Sequence, residues 1–155
     1  MGELDEMADL EQKLTNILKE LMNKTDVFIA IVVDKNGLPI HSLDKKTDKP
    51  LKDEPEILAA GLSSSMLSLA EKSPEMINID AGELNQMLIQ SKKSMLIIRE
   101  AGETALLLVA VPADSSLGIT LLALKKAGND ISKLNVGPKE VKRINADDLN
   151  LPSFK

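Results

Sequence analysis

The chain has 155 residues and a formal net charge of −5, with 43% hydrophobic and 28% charged residues, values ordinary for one soluble domain with a sizeable core. It contains no cysteine, which excludes disulfides, thiolate metal sites and a cysteine nucleophile and is typical of a reducing compartment. The acidic balance and the near-absence of aromatic residues argue against a nucleic-acid binder, which needs basic patches and stacking side chains. The acidic start MGELDEMADLEQ lacks the order of a signal peptide, so we expect a cytoplasmic protein without direct membrane insertion.

Residues 4–24 are predicted to form an amphipathic helix. Apolar residues recur at steps of three and four positions, with charged residues between them. This stripe, which we expect to lie on a sheet, consists of Met7, Leu10, Leu14, Ile17, Leu18 and Leu21.

Residues 27–33 form an unbroken apolar run rich in β-branched side chains, which is typical of a strand covered on both faces. The sequence Asp34-Lys35-Asn36-Gly37 predicts a tight turn, because asparagine and glycine tolerate positive φ. Residues 38–43 then predict a second strand. Pro39 cannot donate a ladder hydrogen bond, so this strand is expected at a sheet edge.

A second helix is predicted from Asp53 to residue 72, ending before Pro74. One side carries the stripe Leu58, Leu62, Met66 and Leu69, and the other positions carry the small residues Ala59, Ala60, Gly61, Ser63, Ser64 and Ser65. Glycine and serine weaken an isolated helix, so tertiary contacts should stabilise this one. Two interpretations stay open: tight packing of this helix on its own sheet, or close packing of another helix on the small-residue face.

The second half of the chain predicts an antiparallel meander of three strands, residues 84–90, 95–99 and 104–111, after a loop at residues 78–82. Ser115 or Ser116 is expected to cap a last helix to about residue 134, which Gly128 could bend or end early. Residues 135–155 read as a polar tail after a single domain of residues 1–134. The predicted fold is α+β, a three-layer α/β/α sandwich around a mostly antiparallel five-stranded sheet.

Three stretches together resemble the roadblock family of dynein light-chain and Ras-like GTPase regulator proteins: VFIAIVVDKNGLPIHS, EPEILAAGLSSSMLSLAEK and LNQMLIQSKKSMLIIREAGETALLLVAVPADSSLGITLLALKKA. The most specific parts are DKNGLPI, AAGLSSS and the pair Leu117-Gly118. The resemblance covers residues 4–134 and leaves the tail outside. It implies a sandwich with strand order 2-1-5-4-3. It also implies a homodimer, or a heterodimer with a paralogue, in which the third strands pair and the second helices pack together.

The resemblance further implies a partner, a Ras-like small GTPase or a scaffold that recruits one. Small side chains on the second helix and a third-strand edge without proline support the dimer independently. The expected dimer-interface residues are Ala59, Gly61, Leu62, Ser64, Ser65, Met66, Leu84, Met87, Leu88 and Ile89. The residues expected to face the partner are Ser63, Ser68, Glu71 and Lys72.

Catalytic candidates are few. His41 is the only histidine and lies on the expected edge strand, where a surface role is the more common one. Phosphate-binding GxxxxGK[ST], GxGxxG and HExxH motifs are absent, so no nucleotide cofactor or metal is expected. Arg99, expected to end a strand facing water, and Arg143 are the only arginines and so the only conceivable arginine fingers. Two weaker ideas are a nucleophile among Ser63, Ser64 and Ser65, and a calcium site at Asp44, Asp48 and Asp53.

Three functions follow as hypotheses. The leading one is a non-enzymatic, dimeric adaptor in signalling that binds a small GTPase. The second is a regulator that stimulates GTP hydrolysis or assists exchange without catalytic residues of its own. The third is a small-molecule sensor of profilin-like or sensor-like architecture, which would need a concave apolar pocket with a few polar groups.

Overall fold

The computed structural model describes residues 2–76 and 85–136. In chain order the elements are α1 (Glu3–Lys24), β1 (Ile29–Asp34), β2 (Pro39–Asp44), α2 (Asp53–Met76), β3 (Gln86–Gln90), β4 (Ser94–Glu100), β5 (Ala105–Pro112) and α3 (Leu117–Ser132). Leu84, the loop at residues 78–82 and the tail from residue 137 lie outside the described residues.

The five strands form one antiparallel sheet in the order β2-β1-β5-β4-β3, which confirms the predicted topology. The two central strands are almost wholly buried, as their unbroken apolar runs require. β2 lies at an edge, where Pro39 is tolerated, and Gly37 in the β1–β2 turn has the positive φ expected of it, 89°.

Helices cover both faces of the sheet. α1 and α3 share one hydrophobic cluster with the sheet, which includes Leu18 and Leu124. α2 contributes Ala60 and Leu67 to a smaller cluster on the opposite face. This arrangement confirms the predicted three-layer sandwich.

α1 runs alongside the edge strand β2, in the same direction. Thr15 Oγ1 lies 2.8 Å from His41 Nε2, and further along both elements Lys45 Nζ donates to the Met22 carbonyl oxygen at 3.4 Å. Leu14 and Leu18 are buried as predicted, whereas Met7 is 59% exposed. The prediction that the whole apolar stripe lies on the sheet is therefore wrong for its first turns, because α1 begins beyond the start of β2.

α3 begins after Ser116, whose Oγ accepts from the Ile119 amide, and it packs antiparallel to α1. Gly128 does not end this helix, which continues to Ser132. A Cβ at Gly128 would lie 3.3 Å from the Glu100 carbonyl oxygen, so the glycine lets α3 approach the end of β4 closely. Lys126 of α3 bonds to Glu20 of α1, Lys24 bonds to it from within α1, and both lower the pKa of Glu20 to about 2.

α2 does not end at residue 72 but continues through Pro74 to Met76. Proline disfavours a helical residue before it, yet near a helix end it removes only one backbone hydrogen bond, so the helix can continue.

The first described residues of the predicted tail are packed on the fold. Val136 is 4% exposed and belongs to the α1–α3 cluster, and the Thr104 hydroxyl donates to its carbonyl oxygen. The boundary at residue 134 stays a prediction, but any truncation should retain Val136.

Candidate functional site

The inner face of α2 carries small side chains. Ala60 and Ser63 are 0% and 2% exposed and lie against the sheet, next to Leu67. The Ser63 hydroxyl donates to the Ala59 carbonyl oxygen at 2.6 Å, the usual role of a serine within a helix, so it is not placed as a nucleophile. Because Ser63 is buried, the described chain does not present it to a partner as the sequence interpretation expected.

Two further small residues of α2 pack on the β1–β2 turn. A Cβ built on Gly37 would lie 3.4 Å from both Gly61 Cα and Ser64 Cβ. The Ser64 hydroxyl donates to the Lys35 carbonyl oxygen at 2.9 Å. The turn and the small residues of α2 therefore form one packed unit, so the most family-specific motifs DKNGLPI and AAGLSSS act together. Sequence reasoning treated them separately.

Polar contacts anchor the first turn of α2. Ser42 on β2 is 1% exposed, its hydroxyl donates to the Glu56 carboxylate, and its oxygen accepts from the Leu51 amide at 2.9 Å. These bonds fix the entry of α2 onto the sheet. The sequence indicates a carboxylate such as Glu56 at the positive end of this helix, but it does not indicate the bond between Glu56 and Ser42.

The outer face of α2 is apolar and exposed. Leu58, Leu62 and Leu69 are 65%, 59% and 68% exposed, and the exposed Ser65 lies between them. The successive steps of four, three and four residues are those of the seam of a helix that packs against another helix. The leucines of the predicted stripe thus face outward, while Met66 is only half-buried at its side.

An apolar groove of about 230 Å³ separates α2 from the strands beside it. Leu62 and Met66 line it from the helix, and Ile89 and Leu96 line it from the sheet. α2 is thus too narrow to cover its whole face of the sheet, and the uncovered part lies next to the outer leucines.

β3 closes the sheet on this side. In the described ranges β3 pairs with β4 alone, and its other edge carries no proline. Side chains alternate along a strand, so Met87 and Ile89 lie on one face of β3, the α2 side, and Leu88 lies on the other. Four of the expected interface residues line the groove: Ala59, Leu62, Met66 and Ile89. Gly61 and Ser64 lie at the β1–β2 turn, Ser65 is exposed on the outer face of α2, and Leu88 lies on the opposite face of β3. Their role in an interface stays a prediction, as does that of Leu84.

The expected partner-facing residues Ser68, Glu71 and Lys72 are exposed near the far end of α2. Ser68 and Glu71 line a shallow concavity of about 90 Å³ with Lys35 of the β1–β2 turn. This surface combines charged and hydroxyl groups, unlike the leucine face.

His41 and Arg99 make contacts within the fold. His41 is half-buried against α1, and this burial lowers its pKa, opposed by the charges of Glu11 and Glu56. Arg99 does not face water at a strand end. It lies within β4, because that strand continues to Glu100, and its guanidinium donates to Gln86 Oε1 of β3 at 2.9 Å. Arg143 lies outside the described residues.

Among the described residues, no group of three histidine or acidic side chains could hold a metal ion, and none of the helices there is apolar and long enough to cross a membrane. The three aspartates considered for calcium include Asp44, whose carboxylate accepts from the Lys46 amide at 2.9 Å in the loop after β2.

Comparison with known families decides the relationship. Residues 13–110 match the Roadblock/LC7 domain. The chain belongs to the Roadblock/LC7 family. The matched segment begins within α1, includes α2 and the β1–β2 turn, and ends within β5.

Solved structures share this fold at low sequence identity. A structure described as MglB with a tetrameric arrangement is 20% identical, with a TM-score of 0.71, and the match covers 81% of this chain and 89% of that one. The gliding protein MglB from Thermus thermophilus is 19% identical, with a TM-score of 0.69 and coverage of 81% and 90%. A Roadblock/LC7 domain from Streptomyces avermitilis is 16% identical, with a TM-score of 0.65 and coverage of 74% and 91%. No curated protein matches the chain in sequence.

Proposed function

We propose that this Roadblock/LC7 protein is a dimeric, cytoplasmic adaptor that binds a Ras-like small GTPase and modulates its nucleotide state or recruits it to a complex. The observation that carries the proposal is the exposed leucine seam of α2 beside an apolar groove and an open strand edge. Apolar surface of this kind, gathered in one place, marks a protein–protein contact. Family membership supplies the class of partner.

In the proposed dimer, the β3 strands of two chains pair across a two-fold axis and the two α2 helices pack side by side. An isologous contact of this kind is the most common symmetry of soluble dimers. Ser65 allows close approach in the middle of the seam, and Leu58 and Leu62 of each chain enter the groove of the other. A roadblock paralogue with the same seam could replace the second copy.

Pairing the helices would place both α2 helices on one surface of the dimer, antiparallel to each other, with their far ends at opposite ends of that surface. We assign the GTPase contact to this surface, with Glu71, Ser68 and Lys72 as contact residues. Charged and hydroxyl groups suit a reversible contact, because rim charges mainly govern association rate and choice of partner. The protein would act by favouring one conformation of the GTPase rather than by contributing a catalytic side chain.

The test is capture of a small GTPase from a lysate of the source organism, with the GTPase loaded with GDP or with a non-hydrolysable GTP analogue. Wild-type protein should retain a small GTPase, and Glu71→Lys should retain at least about tenfold less, because charge reversal at a contact costs on the order of 1.4 kcal/mol. Glu103→Lys is the matched control, since Glu103 is also exposed but lies in the β4–β5 turn. Failure of the wild-type dimer to retain any small GTPase would refute the proposal.

The sensor hypothesis has one observation in its favour, the apolar groove itself. At about 230 Å³ the groove is smaller than the ~300–1,000 Å³ common for ligand sites. Its lining includes one hydroxyl, that of Ser63, which already bonds to the Ala59 carbonyl oxygen. A second copy of the chain therefore suits the groove better than a small polar ligand, and native mass spectrometry would detect a ligand that remains bound.

A further inference from the structure

The first turns of α1 expose apolar side chains that continue the buried stripe of that helix. Leu14 and Leu18 are 1% and 0% exposed on the sheet, whereas Met7 and Leu4 are 59% and 81% exposed, and Leu10 is intermediate. Burial therefore fades steadily toward the start of α1, although the amphipathic pattern continues unchanged.

This start of α1 extends past the end of the sheet. Thr15 of α1 contacts His41 of β2, which gives a common reference point on the two elements. Glu3, the start of α1, lies twelve residues before Thr15, about 18 Å along a helix. Pro39, the start of β2, lies only two residues before His41, about 7 Å along a strand. α1 thus projects about 11 Å beyond the start of β2, so none of the described strands lies beneath Leu4 and Met7.

The chain leaves the fold at this same end. Val136 is held by the Thr104 hydroxyl, and the Thr104 carbonyl oxygen accepts from the Lys35 amide of the β1–β2 turn at 3.2 Å. That turn directly precedes β2, beside which α1 lies. Two strand spacings are only about 10 Å, which a few extended residues can cross, so residues 137–155 can reach the start of α1.

The charges of the two segments are complementary. Residues 2–12 contain five carboxylates and no lysine or arginine. Residues 137–143, GPKEVKR, carry the three basic residues Lys139, Lys142 and Arg143 against one acid, Glu140, and the acids Asp147 and Asp148 come only after them. The helix dipole explains the acids in the first turn of α1, and Asp9 pairs with Lys13 at 3.0 Å, but neither accounts for Glu11, which lies beyond the first turn. The following residues supply apolar groups for Leu4 and Met7, namely Val141, Ile144, Leu149, Leu151 and Phe154.

We propose that residues 137–155 bind back onto the first three turns of α1 of the same chain. The apolar residues of this segment cover Leu4 and Met7, and its basic residues pair with the flanking carboxylates. The segment thereby completes the α1–α3 layer at the end where the sheet leaves it open. This contact lies on the face of the sheet opposite α2, so it is independent of the proposed dimer.

Amide hydrogen exchange of residues 3–12 tests the contact in the whole chain. A variant ending at Val136 should exchange at least about tenfold faster there, because first turns that lack packing open readily. Met7→Asp should have the same effect, and it should add little in the truncated variant, since both changes remove one interaction. Leu122→Asp is the matched control, because Leu122 is 73% exposed on α3 and lies away from this end.

A charge swap keeps the test decisive if truncation disturbs folding. Lys142→Glu with Arg143→Glu should speed exchange of residues 3–12, and adding Glu3→Lys with Glu6→Lys should restore protection. A nitroxide on Ser153→Cys, the single thiol of that variant, should broaden the amides of residues 3–12 in its own chain. Unchanged exchange on truncation, no rescue by the swap, or broadening only in a second chain would each overturn the proposal.

Discussion

Replacing Leu62 with alanine should weaken the dimer strongly and the monomer fold hardly at all. Leu62 is 59% exposed in the described chain, and burying a whole leucine side chain contributes about 1.5–3 kcal/mol. Burying the exposed part of the Leu62 side chain in the dimer, which alanine would lack, should therefore contribute about 1 kcal/mol to the free energy of association. A two-fold dimer contains the residue twice, so the loss is about 2 kcal/mol, or about thirtyfold in Kd.

Sedimentation equilibrium over a concentration series measures this change, and denaturant unfolding of the dilute protein reports on the monomer. Leu122→Ala is the control, since Leu122 is 73% exposed on α3, on the other side of the sheet. Its Kd should match wild type, and neither change should alter monomer unfolding by more than about 0.5 kcal/mol, as is usual at exposed positions. A Leu62→Ala dimer with a Kd within about threefold of wild type would refute the role of the α2 leucines in the dimer interface. Wild-type protein sedimenting at 16.8 kDa at micromolar concentration would refute the dimer itself.

Two further predictions concern the fold that positions the seam. Gly37→Ala should destabilise the protein by about 1–2 kcal/mol, because a φ of 89° is strained for alanine, whose Cβ would in addition contact α2 at 3.4 Å. Gly118→Ala, with open space around the added Cβ, should be neutral or slightly stabilising in the same thermal unfolding assay. His41 has a lowered pKa in the folded state, so the unfolded state binds its proton first, and stability should fall as pH drops below about 6.5. His41→Gln should flatten that part of the stability–pH profile, and an unchanged profile would contradict the assignment.

The sheet could be predicted almost entirely because its signals are local. Unbroken apolar runs identified the two central strands, a proline identified an edge, and short turns required antiparallel neighbours. The strand order itself came from the family resemblance. Element ends were less predictable, as at Pro74, because the conformational preference before a proline is weak enough for packing to override.

The faces of α2 could not be assigned from sequence, because both are compatible with burial. Leucines on one side and alanine and serine on the other leave two orientations open, and the usual rule would put the leucines inside. Small side chains instead lie on the sheet, where Ala60 and Ser63 let the helix backbone approach closely. The role of Arg99 was missed for a similar reason, since its contact with Gln86 depends on the β3–β4 register.

One helix therefore meets two requirements with two sets of residues. Gly61 and Ser64 hold α2 on the β1–β2 turn, and Ser42 with Glu56 fixes its first turn, so the helix is anchored without using its leucines. Leu58 and Leu62 therefore face outward. Exposing apolar surface to water is unfavourable, and a chain that stays monomeric would gain nothing from it. A core helix that served only its own sheet would carry the opposite arrangement. The division of α2 into a small inner face and a leucine outer face is the strongest physical argument that this chain works in association with another.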